Sequence, residues 1–230
     1  MTKKSRVKVN TKSSDTSEFE CCHCEIQGLE MELHPLKALY IASKRMLVIS
    51  DLHLGKSAHF RRNGIALPDQ VNKGNHWNLS ILFQHYQPEE VIFLGDLFHS
   101  RLNHEWDDFA DFIDNFRDIR YTLIEGNHDI LDVDLYKNAG IEMVRSKVIE
   151  GLKLTHEPEP SDEYYNLAGH IHPCVRLQGT ANQGMRLACF YFGKDGGLMP
   201  AFGDFTGMHK LRPVKGDSVF VTSGKKVVKV

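Results

Sequence analysis

The sequence predicts one mixed α/β domain whose chemistry gathers where strands end. Three observations carry that reading. Short apolar runs rich in β-branched residues recur along the chain, and each reads as a buried strand because it has no polar face. Stretches with three- and four-residue apolar spacing lie between several of them and read as amphipathic helices. Five of the runs hand over, at one end, to a polar residue able to hold a metal.

A chain of 230 residues is long enough for one sizeable core. Charged residues make up 25% and the formal net charge is only -2, so there is no global attraction to a polyanion and any such recognition must be local. Residues 1–24 read as a flexible tail, weakly basic through Lys3, Lys4, Arg6, Lys8 and Lys12, and 25–230 as a single domain without internal repeat or linker. The first twenty residues lack the apolar core of a signal peptide, and no apolar run reaches the ~18 residues of a membrane span, so a cytoplasmic protein with no membrane partner is expected. The five cysteines fit that expectation as reduced thiols. Cys21-Cys22-His23-Cys24 has no second cysteine pair to complete a structural zinc site and reads as incidental.

In chain order, Glu25 to Ile41 reads as one or two short strands broken at Pro35, leading to a strand at Leu47–Ser50 that ends in Asp51-Leu52-His53. Side chains alternate along an extended chain, which puts Asp51 and His53 on the same side. A polar, basic loop follows to Pro68, and a helix over Asp69 to Tyr86 with Asp69 as its N-cap. Val91 to Leu94 is the next strand and ends in Gly95-Asp96. Glu105 to Arg117 is an amphipathic helix carrying Trp106, Phe109, Ile113 and Phe116. Tyr121 to Glu125 is a strand ending in Gly126-Asn127-His128-Asp129, and Leu131 to Asn138 a short helix stopped at Gly140. Two extended pieces over Val148 to Thr155 end in His156, and Tyr164 to Ala168 ends in Gly169-His170-Ile171-His172. Arg186 to Phe192, Leu198 to Phe202 and Ser218 to Val230 are strand-like, the last with a turn at Ser223-Gly224.

In sheets with crossover helices, ligands collect outside the strand ends, so these five endings should converge. Two Asp, one Asn and four His give seven ligands, too many for one ion and suited to two that share a carboxylate. Asp96 is the natural bridge. Asp51 and His53 with one of His170 and His172 would complete one ion; Asn127 and His156 with the other would complete the second. Paired divalent ions clamp the attacking and leaving oxygens in phosphoryl transfer. His128, without a ligand duty, is placed to protonate or stabilise a leaving oxygen. Asp129 either orients that imidazole or caps the following helix. Mixed imidazole, carboxylate and amide ligands accept manganese, the leading expectation, or iron, zinc or nickel.

Taken in order, D-x-H, G-D, G-N-H-D, a lone His and G-H-x-H resemble the calcineurin-like metallophosphoesterase superfamily over roughly Leu47 to Pro173. The resemblance implies an α+β, four-layer α/β/β/α sandwich of two mixed β-sheets flanked by helices, with a di-metal site at strand ends. It also implies that His172 joins Asp51 and His53, while His170 joins Asn127 and His156. One position departs from many relatives: His99 stands where they carry a second acidic residue after G-D. Asp51-Leu52-His53-Leu54-Gly55-Lys56, Phe60-Arg61-x-x-Gly64, Leu94 to Ser100 and Pro200 to Gly207 are similar to the ligase-associated DNA damage response endonuclease subgroup, PdeM. That likeness implies a nuclease or phosphodiesterase working on DNA beside a ligase or other repair partners.

Lys56, Arg61, Arg62 and Arg101 follow strand-end ligands closely, where they can meet phosphates flanking the scissile one or simply form a solvated loop. The small net charge favours a short or single-stranded DNA substrate over long duplex. A phosphoesterase for a small nucleotide or other phosphate ester is the alternative enzyme. A non-catalytic scaffold would be expected to have lost ligands, and all seven are present with His128.

Overall fold

Sheet formation begins earlier in the chain than its polar start suggests. In the computed structural model, described for residues 19–56, 70–178, 184–203 and 206–230, strand β1 spans Cys22–Ile26. The boundary between tail and domain therefore falls before Cys22, not after residue 24. Alternation along β1 buries Cys22 and Cys24 in the core and leaves Cys21 and His23 on the opposite face. The four cannot converge on one ion, which is the physical reason the cluster is incidental. Cys21 instead meets the Tyr86 hydroxyl, and His23 lies 3.7 Å from Glu32.

Three strands, not two, fill the first segment: β1, β2 (Leu29–His34) and β3 (Ala38–Ile41) form an antiparallel meander with β4 (Met46–Ile49). From β4 onward the sheet turns parallel, through β5 (Glu90–Leu94), β6 (Arg120–Ile124) and β7 (Ile141–Val144). Parallel neighbours need crossovers, and helices supply them. They are α1 (Gln70–Tyr86), α2 (His104–Asp114) and α3 (Val133–Asn138). Asn103 caps α2 by accepting the Glu105 N–H, and Asp132, not Asp129, caps α3 by accepting the Asp134 N–H. The capping role considered for Asp69 lies outside the described residues.

The second mixed sheet is built from β8 (Lys147–Ile149), β9 (Leu152–Thr155), β10 (Tyr165–Ala168), β11 (Pro173–Gln178), β12 (Gly184–Phe192), β13 (Gly196–Leu198), β14 (His209–Lys210), β15 (Ser218–Thr222) and β16 (Val227–Lys229). The two sheets stack face to face. Between them lie Met31, Leu33, Val48, Ile92 and Ile124 from the first, with Leu154, Leu167, Phe190, Phe192 and Phe220 from the second. The outer face of the first sheet buries Ile49, Phe93 and Leu123 against Leu82, Phe83, Trp106, Phe109 and Tyr136 of the helices. Each fully buried side chain of this kind contributes about 1.5–3 kcal/mol.

The expected sandwich of two mixed sheets is present. Among the described residues its helices all lie on the first sheet, and the second sheet's outer face carries a small cluster of Val175, Cys189, Val219 and Val221. No helix of the described residues is long and apolar enough to cross a membrane. Three strands escaped the sequence reading, β7, β11 and β14, and the strand read over Leu198 to Phe202 ends at Leu198. Beyond it Phe202 and Gly203 stay buried by donating their N–H groups to the Ser50 and Asp51 carbonyls at 2.8 and 3.1 Å.

Candidate metal centre

Every ligand-type residue of the first sheet sits just past a strand: Asp51 and His53 after β4, Asp96 after β5, Asn127 after β6. The second sheet contributes His156 after β9, and His170 and His172 after β10. Asp51 and His53 do not point together through strand alternation, because β4 has already ended. The chain there is left-handed. Asp51, His53, Asp96, His170 and His172 have φ of 53°, 50°, 50°, 62° and 52°, half of the ten non-glycine residues with positive φ among those described. Such conformations cost roughly 1–3 kcal/mol each and persist only where surroundings fix them. The fixing bonds are visible: His53 N–H to the Asp96 carbonyl at 2.9 Å, Leu54 N–H to the Leu97 carbonyl at 2.9 Å, His99 N–H to the Leu54 carbonyl at 2.7 Å.

Two groups of donor atoms result, Asp51 with His53 and His172, and Asp96 with His156 and His170, each with its atoms within 4.8 Å of one another. Each group draws on both sheets. In the first, His53 Nε2 is 3.4 Å from His172 Nε2, and His172 Nε2 is 3.2 Å from Asp51 Oδ1. In the second, His156 Nε2 lies 3.4 Å from Asp96 Oδ1, 3.1 Å from Asn127 Oδ1 and 3.1 Å from His170 Nδ1. The Asp96 carboxylate faces both groups, Oδ1 toward His156 and Oδ2 toward His53 at 3.8 Å.

These donors fit a pair of divalent cations. Ligands at about 2.1 Å from an ion stand roughly 3–3.5 Å from each other, close to the separations seen. The outer nitrogens are committed elsewhere: His156 Nδ1 to the Leu94 carbonyl at 2.8 Å, His172 Nδ1 to the Gly207 carbonyl at 3.0 Å. A nitrogen bonded to a carbonyl must carry the proton, so both Nε2 lone pairs are aimed at the groups. Among the described residues Asp51 Oδ1 is buried with no polar neighbour but His172 Nε2 at 3.2 Å, an acceptor suited to a cation. Electrostatics point the same way. Burial alone would raise the Asp51 carboxyl, yet His172 with a proton on Nε2, Ser50 and His156 together hold it below its ordinary range, and a cation would take that proton's place. Burial pushes the His53 imidazole down to about 3, keeping it neutral and ready to ligate.

The remaining candidates fall less evenly. His128 is half-buried beside the donors, with its backbone N–H on Asp96 Oδ1 at 2.9 Å and its ring 3.7 Å from that of His99 between centroids. Asp129 has another task than orienting that ring. Its Oδ1 accepts the Phe98 N–H at 3.1 Å and its Oδ2 the Gly126 N–H at 2.9 Å, so it ties the loop after β6 to the loop after β5. Burial raises this carboxyl to about 6. Lys56 is half-buried within electrostatic reach of Asp96 and Asp51. Arg101 is exposed, its carbonyl bonded to the Asn103 side chain, and Arg61 and Arg62 lie outside the described residues. Sequence reading missed Ser50, whose hydroxyl donates to Asp51 Oδ2, and it gave no place to His99 against His128. The Ser50 bond carries no spacing signal; the His99 departure from the acidic pattern was the available clue.

Residues 44–211 match the family model for calcineurin-like phosphoesterase. The chain belongs to that family. Among solved structures, this calcineurin-like phosphoesterase is similar to the Pseudomonas putida nuclease MPE, with 29% identity and a TM-score of 0.79 over 92% of this chain and 100% of that one. It also matches a protein of unknown function, AQ665, from Aquifex aeolicus (19% identity, TM-score 0.40, 55% and 78% covered). A third match is the E. coli phosphoesterase Yfce, with 13% identity and a TM-score of 0.40 over 80% and 97%. No curated protein matches the chain. Family membership makes it a metal-dependent phosphoesterase.

Proposed function

We propose that this phosphoesterase is a phosphodiesterase that cuts single-stranded or short DNA, and that Asp51, His53, Asp96, Asn127, His156, His170 and His172 hold two divalent ions. One observation carries the reading: two donor groups share the Asp96 carboxylate, and His128 stands beside them with its ring uncommitted to either. Manganese is the proposed ion. A pair of such cations, when bound, would neutralise phosphate charge and make a water nucleophilic. The chain's own groups do the rest. Lys56 offers a cation near Asp51 and Asp96 for an oxygen of the bound phosphate. His128 gives its ring proton to the leaving oxygen as the new P–O bond forms and the old one breaks. The carboxylate of Asp129 holds the loop that presents His128. The likeness to a nuclease over the whole length of that chain supports nucleic acid as substrate, and the likeness to the ligase-associated subgroup supports a DNA-repair setting.

The test is turnover by manganese-loaded protein on single-stranded DNA and on a nitrophenyl phosphodiester. His128→Ala should slow DNA cleavage by roughly 10²–10⁴, as expected of a general acid, and the activated ester much less. Equal losses on both would remove proton donation from the account, and loss of an ion would make His128 a ligand.

A further inference from the structure

The hairpin of β11 and β12 leaves the body of the second sheet on the same side as the donor groups. Strand β13 ends at Leu198, opposite Tyr191 of β12 and beside Ala168, the last residue of β10 before Gly169 and His170. Residues of β12 that precede Tyr191 therefore continue past the strand ends where the histidines gather. Strand β11 starts at Pro173, directly after His172, and β14 lies along it with Lys210 opposite Cys174. The three strands make a ribbon that begins at the centre.

One face of this ribbon is apolar and the other is cationic. Val175, Leu187 and Leu211 cluster on the first. Positions one residue out of phase share the second face, namely Cys174, Arg176, Ala188, Arg186 and Lys210, in line with Phe190 and Phe192 of the inter-sheet core. Arg176 and Arg186 are direct cross-strand partners, and both are exposed, as is Lys210. Like charges set directly opposite one another destabilise a sheet. Residues 173–192 contain no Asp or Glu to offset them, and among the described residues neither guanidinium forms an ion pair. The Arg176 guanidinium lies across the partner strand over Gly184, where a Cβ would come within 2.2 Å of its Nε.

We propose that Arg176, Arg186 and Lys210 form a phosphate track for the strand of nucleic acid flanking the scissile bond. At about 3.3 Å per residue, Arg176 stands about 13 Å of ribbon beyond His172, in range of neighbouring phosphates rather than the one being cut. A track of three cations suits a single strand, and the chain's net charge of -2 gives no wider field to hold duplex. The proposal rests on the nucleic-acid reading of the centre but does not need the chemistry to be seen.

The experiment is binding of a fluorescent twenty-nucleotide single strand to metal-free protein over a range of salt, alongside cleavage by the manganese-loaded protein. Losing two phosphate contacts in Arg176→Gln/Arg186→Gln should weaken binding at least about tenfold and flatten the log–log salt slope by about 1.4. Arg176→Glu/Arg186→Glu should weaken it further. Cleavage of the oligonucleotide relative to a nitrophenyl diester should fall by a similar factor. Parental affinity and slope in both variants would overturn the track, as would an equal loss on the small ester, which would place the arginines at the centre itself. Manganese-loaded parent protein that cleaves neither substrate would instead refute the phosphodiesterase reading, while the binding curves still decide the track.

Discussion

Gly95→Ala probes the centre through a residue that is not itself a ligand. Gly95 sits at φ 73°, and a Cβ built there would lie 2.2 Å from His156 Nδ1 and 2.9 Å from the Gly126 Cα. Forcing alanine into the left-handed region costs about 1–2 kcal/mol. The backbone of Gly126 cannot yield, so the imidazole must, and it then loses its bond to the Leu94 carbonyl, worth about 1 kcal/mol. The sum is a destabilisation of about 2–3 kcal/mol. The larger consequence is chemical, because His156 Nε2 leaves the neighbourhood of Asp96, Asn127 and His170. Elemental analysis of manganese-loaded protein should show close to one ion per chain where two are proposed for the parent, with the deficit at the group containing His156. Urea unfolding of the metal-free form measures the structural part separately. Two tightly held ions in Gly95→Ala would refute the reasoning, since His156 would then be dispensable or free to move without cost.

Three further expectations follow from the same geometry. Asp96→Asn should lose metal and activity together, because its two oxygens face both groups and a neutral amide cannot offset two cations; full occupancy by elemental analysis would remove the bridge. Asp129→Asn should destabilise by about 3 kcal/mol in urea, since an amide NH₂ is turned toward the buried Phe98 or Gly126 N–H. A large activity loss at unchanged stability would return Asp129 to the chemistry. His34 gives a pH signature away from the centre. Burial holds its imidazole down to about 4, and its Nδ1 accepts the Leu36 N–H at 3.1 Å, which needs the neutral ring. Between pH 6.5 and 4 the unfolded chain takes up this proton and the folded one does not, so stability falls with falling pH, by up to about 3 kcal/mol. His34→Phe should flatten that part of the unfolding curve; an unchanged pH slope would show that other groups set it.

The seven donors were legible because each stands at the end of an apolar run, and apolar runs are what a sequence displays most openly. Their handling by the backbone was not. Strand alternation explains the Asp51 and His53 pair in the sequence, whereas the folded chain uses two left-handed residues held by the loop after β5. That arrangement depends on bonds to Asp96 and Leu97, more than forty positions away, which no local pattern encodes. Asp129 misled for the same reason. A carboxylate next to a histidine looks like its partner until the Phe98 and Gly126 N–H groups appear around it. Strand β7 was hidden by a short segment that is half-exposed at the sheet edge, and β11 by Pro173 at its start and solvent on its outer half. Cys22 and Cys24 looked like tail residues because the charged tail runs almost up to them. Alternation with Ile26 was the overlooked sign of a strand.

His53 and His172 are 119 positions apart in the chain, yet their ring nitrogens come within 3.4 Å. With each donor group straddling the two sheets, an ion bound there would act as a cross-link, much as a disulfide fastens distant segments. Closing a loop of that size in an unfolded chain costs about 4 kcal/mol of entropy, and the bound ion returns its binding energy only once both sheets are docked. Melting temperature should therefore climb with free manganese until the donors saturate, and chelation should expose the interior to protease before any loop elsewhere. A flat melting temperature across that range would show that the sheets hold together unaided. A melting temperature that climbs makes metal supply govern how long the folded chain survives as well as how fast it works.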